Sequence, residues 1–371
     1  MRIGLVGGGS GGHFYPLIAV AEILQEHPEH PELFYFGPSP YDEELLKKHN
    51  IKYVYCSAGK LRRYFSLQNF LDFFRTIAGI FTGIVKLYIY YPDVILSKGG
   101  YTSIPILIAA RFLRIPVVIH ESDVLPGRAN KFADSFARYI AISWPETAEY
   151  FPAEKTALTG IPIRRALQQP TQNPHQLLGV PQDLPLLYVT GGSLGAERIN
   201  VLILNSLSTL LPHVRIFHQT GEAYEEHVKM TARELLVDQP DLLNHYYVVG
   251  KTDGATVAAL LDAATLVITR AGSTTLFEIA LRGKPSIVIP IPEEISHDQR
   301  SNAYAYARTG AALVIEEHNL TPHLLQTELF TILQNTEQYQ AMQQATKKVT
   351  VGQAANTIAT SLISIGHEHG S

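Results

Sequence analysis

A chain of 371 residues is long for one domain, so two are expected, and 46% apolar against 17% charged residues fits large buried cores rather than disorder. The net charge of -4 argues against a general nucleic-acid binder, which would carry an excess of Lys and Arg. Cys56 is the only cysteine, which excludes an intrachain disulfide and fits a reducing compartment.

Met1 opens directly onto a core strand, so no secretory leader is expected, and folding in the cytoplasm follows. No uncharged apolar run reaches the roughly 18 residues of a spanning helix. The strand at 2–6 runs into Gly7-Gly8-Gly9-Ser10-Gly11-Gly12-His13, then into an apolar helical stretch from Leu17 to Leu24. Glycines let backbone approach a ligand closely, and the N–H groups at a helix start favour phosphate. A dinucleotide fingerprint would need an acid at the end of the next strand, where Phe36-Gly37-Pro38 stands instead. Further strands are expected at 32–36, 53–56, 94–97, 117–120 and 139–142, several separated by segments of helical length. That alternation predicts a parallel sheet with helices on both faces.

Between residues 61 and 91 Phe65, Phe70, Phe73, Phe74, Phe81, Tyr88, Tyr90 and Tyr91 are interspersed with Arg62, Arg63, Arg75 and Lys86. Aromatic positions with basic flanks predict an interfacial membrane contact. Thr159-Gly160-Ile161-Pro162 reads as a turn, and 168–185, rich in Gln, Pro and Asn, as an inter-domain connection. A second series of strands follows at 186–190, 214–219, 246–249, 266–269, 286–290 and 312–314. The first of these leads into a second glycine loop, Gly191-Gly192-Ser193-Leu194-Gly195-Ala196. From about Pro322 the chain reads as helical, with a frayed, solvated tail at 366–371.

The expected fold is therefore α/β, with two doubly wound Rossmann-like domains facing a central cleft. Such domains bind ligands outside the carboxyl ends of their strands. Both glycine loops, Ser97-Lys98-Gly99-Gly100, His120-Glu121-Ser122-Asp123 and Arg270-Ala271-Gly272-Ser273 all fall at such ends.

Taken in order, these motifs resemble the MurG family of N-acetylglucosaminyltransferases, within the GT-B glycosyltransferases. The matching residues are Gly8 to His13, Lys98-Gly99-Gly100-Tyr101, His120 to Asp123 with Gly127 and Asn130, and Thr159 to Arg164. In the second half they are Gly191 to Ala196, Arg270 to Ser273 through Glu278, and Asp298-Gln299 with Asn302-Ala303. The resemblance implies transfer of N-acetylglucosamine from UDP-N-acetylglucosamine to undecaprenyl-linked lipid I, with inversion, giving lipid II for peptidoglycan. It implies a peripheral place on the cytoplasmic face of the cell membrane, no nucleic-acid partner, no cofactor and no bound metal. The chain agrees in having no Asp-x-Asp and no His-x-x-x-His pair. It departs from the family's His-Glu-Gln-Asn stretch at Ser122 and Asp123, and Asp298 stands where a His is usual.

By this resemblance residues 1–163 form an acceptor and membrane-side domain, 164–345 the UDP-sugar domain, and a last helix at about 346–371 packs back on the first. His13, at the start of its helix, accepts the proton of the acceptor hydroxyl as a neutral imidazole, or positions acceptor or diphosphate. Glu121 and Asp123 are the rival bases, and Glu121 is carried as a catalytic candidate. Ser10, Gly11 and Gly12 are expected at the acceptor diphosphate and donor sugar, with Asp123 and Asn130 also lining the substrate site. Ser193 is expected at the donor diphosphate, with Arg164 adding charge. Glu278 suits both ribose hydroxyls, following Ser273, Thr274 and Thr275 on one helix; Gln299 suits the sugar hydroxyls with Asn302 beside it, and Thr252 completes the set. The rivals are another lipid- or polysaccharide-directed GT-B transferase, a UDP-N-acetylglucosamine 2-epimerase, and a non-catalytic sugar-nucleotide-binding or scaffold protein. The aromatic segment favours a membrane acceptor, and His13, Glu278 and Gln299 together speak against a scaffold.

Overall fold

The computed structural model describes residues 1–59, 67–192, 195–294, 297–349 and 352–370. The chain divides into two compact units, Met1–Arg165 with Val351–Ser371, and Ala166–Thr350.

The first unit runs β1 (Arg2–Val6), α1 (Gly11–Glu26), β2 (Glu32–Gly37), α2 (Glu43–Lys48), β3 (Lys52–Tyr55), α3 (Leu67–Tyr90), β4 (Val94–Ser97), α4 (Ile104–Leu113), β5 (Val117–Glu121), α5 (Arg128–Ala133), β6 (Tyr139–Ile142) and β7 (Thr156–Leu158). These strands form one sheet, ordered β3-β2-β1-β4-β5-β6-β7, with every pairing parallel. Strands buried on both faces must be apolar at consecutive positions, and these are. Ile3, Leu5, Leu33, Tyr35, Val94 and Leu96 turn to one face, against Phe14, Leu17 and Ile18 of α1. Val6, Phe34, Phe36, Ile95, Val117 and Ile119 turn to the other, against Ile106, Leu107 and Ala110 of α4. The alternation is the period of two that a pleated strand imposes.

The second unit continues with α6 (Pro174–Leu178), β8 (Leu186–Thr190), α7 (Glu197–Leu204), α8 (Leu207–Leu210), β9 (Arg215–Gln219), α9 (Glu225–Leu235), β10 (Tyr246–Val249), α10 (Gly254–Ala263) and β11 (Leu266–Thr269). It ends with α11 (Ser273–Leu281), β12 (Ser286–Val288), α12 (His297–Arg308), β13 (Ala312–Val314), α13 (Pro322–Gln334) and α14 (Thr336–Ala345). Its sheet, again parallel, is ordered β10-β9-β8-β11-β12-β13. Leu187, Val189, Ile216, Leu266 and Ile268 meet Ile199 and Ile203 of α7 and Leu325 and Leu329 of α13.

Three sequence expectations change. The short strand β7 is absent from the sequence reading, because two of its three residues are exposed and it pairs only with β6 at the sheet edge. The stretch at 168–185 is part of the second unit: α6 packs on α10, Thr171 N–H donates to Asp262, and Arg282 donates to Gln169 O. Through Gly370 the tail is not frayed. It belongs to the last helix, α15 (Ala354–Gly370), which packs on α1 and buries Ile358, Leu362 and Ile363 in the first unit's core. Glu368 pairs with Arg138 at 3.0 Å and His367 with Glu29 at 2.5 Å. Fully burying one such aliphatic side chain contributes about 1.5–3 kcal/mol, enough to hold a helix end down.

Helix α3 packs on α4 through Gly83, where a Cβ would stand 3.3 Å from Ala109 and Ile106. The opposite face is open: Phe74, Phe81, Val85 and Tyr88 are more than half exposed, as is Phe112 of α4. Residues 72–90 are also long and apolar enough to cross a membrane, although little of the stretch is buried. Arg62, Arg63 and Phe65 lie outside the described residues, as does the side chain of Phe70.

Candidate functional site

In the first unit β1 and β4 are neighbours, and their following segments lead to opposite sides of the sheet, so a crevice opens at their carboxyl ends. Ser10 precedes α1 in an extended conformation, but its hydroxyl does not cap the helix backbone. Its Oγ lies 2.9 Å from His13 Nδ1 instead. Gly100, with a φ of 81°, passes beside the ring, and a Cβ there would stand 3.6 Å from His13 Nε2. His13 is half-buried; burial first, then the Lys98 charge, lowers its imidazole to about 4 against the opposing pull of Asp123. The ring is therefore neutral at physiological pH.

Glu121 ends β5 and is buried. Its Oε1 accepts the Asp123 N–H at 3.0 Å, and its Oε2 accepts from Gly127 N–H and Asn130 Nδ2, both at 2.9 Å. Both oxygens of this expected rival base thus hold the 121–127 loop. Burial, followed by the Asp123 charge, still pushes it up to about 7. Asn130 is buried, and its amide also donates to His120 O at 3.2 Å. Asp123 is half-buried, and its carbonyl accepts from Thr147 Oγ1 at 3.1 Å. The Arg164 guanidinium lies 3.9 Å over the Tyr15 ring of α1, a cation–π contact that ties the 159–164 segment to the helix bearing His13. Arg165 pairs with Glu26, and its N–H donates to Glu22.

The second unit repeats the design. Its glycine loop follows β8; Gly191 has no room for a Cβ, which would stand 2.4 Å from Ala196 N, nor has Gly195, 2.1 Å from Thr220 O. Ser193 lies outside the described residues. Helix α11 begins at Ser273, with Thr274 and Thr275 half-buried in its first turn and Glu278 one turn on, buried on the same face. Gln299 Oε1 accepts the N–H groups of Ala271 at 3.2 Å and Ile291 at 3.4 Å. Two N–H partners fix which end of the amide is oxygen and turn its NH₂ end away from them. Asn302 is fully buried and donates to Ala271 O at 3.2 Å, binding α12 to the loop before α11. Arg270 is also consumed by structure, pairing with Glu317 at 2.5 Å and donating to Ile289 O and Pro290 O. Thr252 Oγ1 donates to Gln219 Oε1 at 3.2 Å, and Tyr188 OH donates to the same oxygen at 2.7 Å. Glu278 is near enough to Tyr188 for its charge to raise the phenol further, after burial has done most.

The structure thus gathers Ser10, His13, Glu121, Asp123 and Asn130 in the first unit, and Ser273, Thr274, Thr275, Glu278, Gln299 and Asn302 around one helix start in the second. Sequence reasoning placed Lys98 in a strand-end motif without giving it a role, and it gave none to Tyr188 or Gln219. Lys98 and Gln219 stand at or just past the carboxyl ends of β4 and β9, a position that flags them once the strands are drawn. Among the described residues no group of three or more His, Cys, Asp or Glu side chains is placed to hold a metal ion.

Residues 3–142 match the glycosyltransferase family 28 N-terminal domain, and 186–358 match the family 28 C-terminal domain. A UDP-N-acetylglucosamine--N-acetylmuramyl-(pentapeptide) pyrophosphoryl-undecaprenol N-acetylglucosamine transferase of Clostridium kluyveri is 34% identical over 94% of this chain and 97% of its own. A second such transferase, numbered 2, of Bacillus cereus is 35% identical over 96% of this chain and 97% of its own. Among solved structures, Acinetobacter baumannii MurG superposes with a TM-score of 0.73 at 24% identity, covering 98% of this chain and 100% of its own. The UDP-GlcNAc 2-epimerase of Neisseria meningitidis, bound to UDP-GlcNAc, superposes with a TM-score of 0.70 at 16% identity, with the same coverage. At those identities both likenesses show the fold.

Proposed function

The chain belongs to the MurG-like glycosyltransferases of family 28, and from that premise we propose that it moves N-acetylglucosamine from UDP-N-acetylglucosamine to undecaprenyl-linked lipid I, making lipid II. Both family halves match, and relatives named for this reaction align over nearly their whole length, which supports the reading. The observation that carries it is the neutral His13 beside the first glycine loop, in a unit whose α3 presents an open aromatic face.

The acceptor lies with the first unit and the donor with the second. His13 Nε2 takes the proton of the attacking sugar hydroxyl if Nδ1 carries its hydrogen and donates it to Ser10 Oγ. The freed oxygen bonds to the anomeric carbon, the bond from that carbon to the diphosphate oxygen breaks, and its electron pair leaves with UDP. Inversion follows from attack opposite the leaving group. The N–H groups at the start of α11 and of the second glycine loop favour the departing diphosphate without a metal. Glu278 and the Thr252–Gln219–Tyr188 network serve the nucleoside, and Gln299 offers its amide NH₂ to the sugar. Glu121 acts by holding the Asp123 loop, given that both its oxygens are taken. The open face of α3, with Phe112, seats the protein on the membrane that carries the acceptor.

The epimerase reading shares the fold, but the solved structures titled as UDP-N-acetylglucosamine 2-epimerases are 14–16% identical against 33–35% for the transferases. The test is to incubate purified protein with labelled UDP-N-acetylglucosamine and a lipid I analogue in EDTA. Labelled lipid is expected. Free N-acetylmannosamine and UDP without labelled lipid would favour the epimerase, and rescue only by added magnesium or manganese would overturn the metal-free mechanism.

A further inference from the structure

Lys98 is 3% exposed, a lysine buried at the end of β4 among groups the reaction above does not use it for. It packs on the first glycine loop so closely that a Cβ at Gly7 would stand 2.8 Å from its own Cβ. Its ammonium donates to His120 Nδ1 at 2.5 Å and to Ser122 Oγ. An ammonium has no acceptor capacity, so His120 Nδ1 must be bare and the ring hydrogen must sit on Nε2. There it donates to Gly160 O at 2.9 Å. A single cation therefore ties together the segment after β4, the Ser122–Asp123 loop after β5 and the turn leading to Arg164. The ionisable groups facing it are His13 from α1, His120 and Glu121 from β5, and Asp123 from the loop.

We propose that Lys98 is a positioning residue of this site: its ammonium fixes the His120 tautomer and the Ser122–Asp123 loop on which the site around His13 is built. The proposal rests on His13 having the role given above. Burial lowers the Lys98 ammonium to about 8, with Glu121 and Asp123 holding it up. The device is consequently intact below about pH 8 and lost as the pH rises through it, because the protonated form makes both contacts.

The experiment uses Lys98→Arg, Lys98→Met and Asp123→Asn in the full chain. The ¹⁵N signal of His120 Nδ1 is followed against pH, together with the pH profile of kcat/KM. In the parent protein a step in the His120 signal and a fall in kcat/KM are both expected near pH 8. Lys98→Arg keeps its charge throughout, so both should vanish from the range while substantial activity remains. Asp123→Asn removes a charge that holds the lysine protonated, and should move both down by about 1 pH unit. Lys98→Met should raise the pH at which His13 titrates by about 1 unit, since a like charge has gone. If Lys98→Met does not fold, the other two variants still decide. A His120 step that persists near pH 8 in Lys98→Arg, or does not move in Asp123→Asn, overturns the proposal. The nuclear resonance readout needs no substrate, so a protein that proves inactive on lipid I but shows these shifts would refute the transfer reading alone.

Discussion

Substituting His13 with Asn removes the proton acceptor while keeping a polar group of similar reach. The structure fixes what should then change. His13 and its rival Glu121 are held on opposite sides of an ordinary histidine's 6.5: His13 is lowered to about 4, chiefly by burial, and Glu121 raised to about 7, again chiefly by burial. At pH 5.5 a base titrating at about 4 is still roughly 97% in its active form, whereas one titrating at about 7 is roughly 3% active. The relative rate at that pH therefore separates the two by about thirtyfold. The assay is kcat/KM for transfer from pH 4 to 8, which reports the free enzyme's essential groups. With His13 as base, the acidic limb of the parent should fall near pH 4, and His13→Asn should lower kcat by about 10²–10⁴, or roughly 3–5 kcal/mol, with donor KM little changed. The limb should be absent from what activity remains. A limb near pH 7 that survives in His13→Asn and disappears in Glu121→Gln would refute the reasoning and pass the role to the carboxylate. A raised acceptor KM, with a small loss in kcat and the limb retained, would leave His13 only a positioning role.

Glu278→Ala should weaken UDP-N-acetylglucosamine binding by about 1.5–3 kcal/mol, the range for hydrogen bonds to a charged group; unchanged affinity by calorimetry in a folded variant would remove Glu278 from the nucleoside. Replacing Phe81 and Tyr88, 68% and 72% exposed, with Glu should reduce co-sedimentation with anionic vesicles, and equal sedimentation would mean that this face of α3 does not meet lipid. His218 is fully buried between Tyr246 OH at 2.7 Å and Asn200 Oδ1 at 3.0 Å, and burial lowers it to about 3. The unfolded chain binds this proton first, so stability is lost as pH falls from about 6.5 toward about 3. The loss amounts to about 2 kcal/mol between pH 7 and 5. Urea unfolding should show that difference shrinking by about as much in His218→Phe; an identical pH dependence in both proteins would rule His218 out as its source.

Much of the fold was legible in the chain because it is written in local pattern. Short apolar runs, each followed by a glycine turn or a helix of fitting length, specify parallel strands, and twelve expected strands lie within two residues of observed ones at either end. The glycine loops were legible for the same reason: Gly191 and Gly195 leave no space for a side chain, and such a requirement marks the sequence itself. Candidate residues at strand ends followed from the strands. What the chain alone did not disclose depends on contacts between distant segments. The edge strand β7 exists through its pairing with β6, and α15 is held through Gly370 because it lies on α1, β4 and β1, almost the whole chain away. Exposure is of the same kind: α3 carries apolar side chains along its length, between Asp72, Arg75 and Lys86, and only its packing on α4 leaves Phe81 and Tyr88 outward. Residue roles shift likewise. Glu121 reads as a rival base until three N–H groups close on it, and Lys98 reads only as part of a glycine-rich motif until burial sets its ammonium against His120. Periodicity and turn chemistry are properties of neighbours along the chain, whereas charge, burial and hydrogen-bond capacity are settled by neighbours in space.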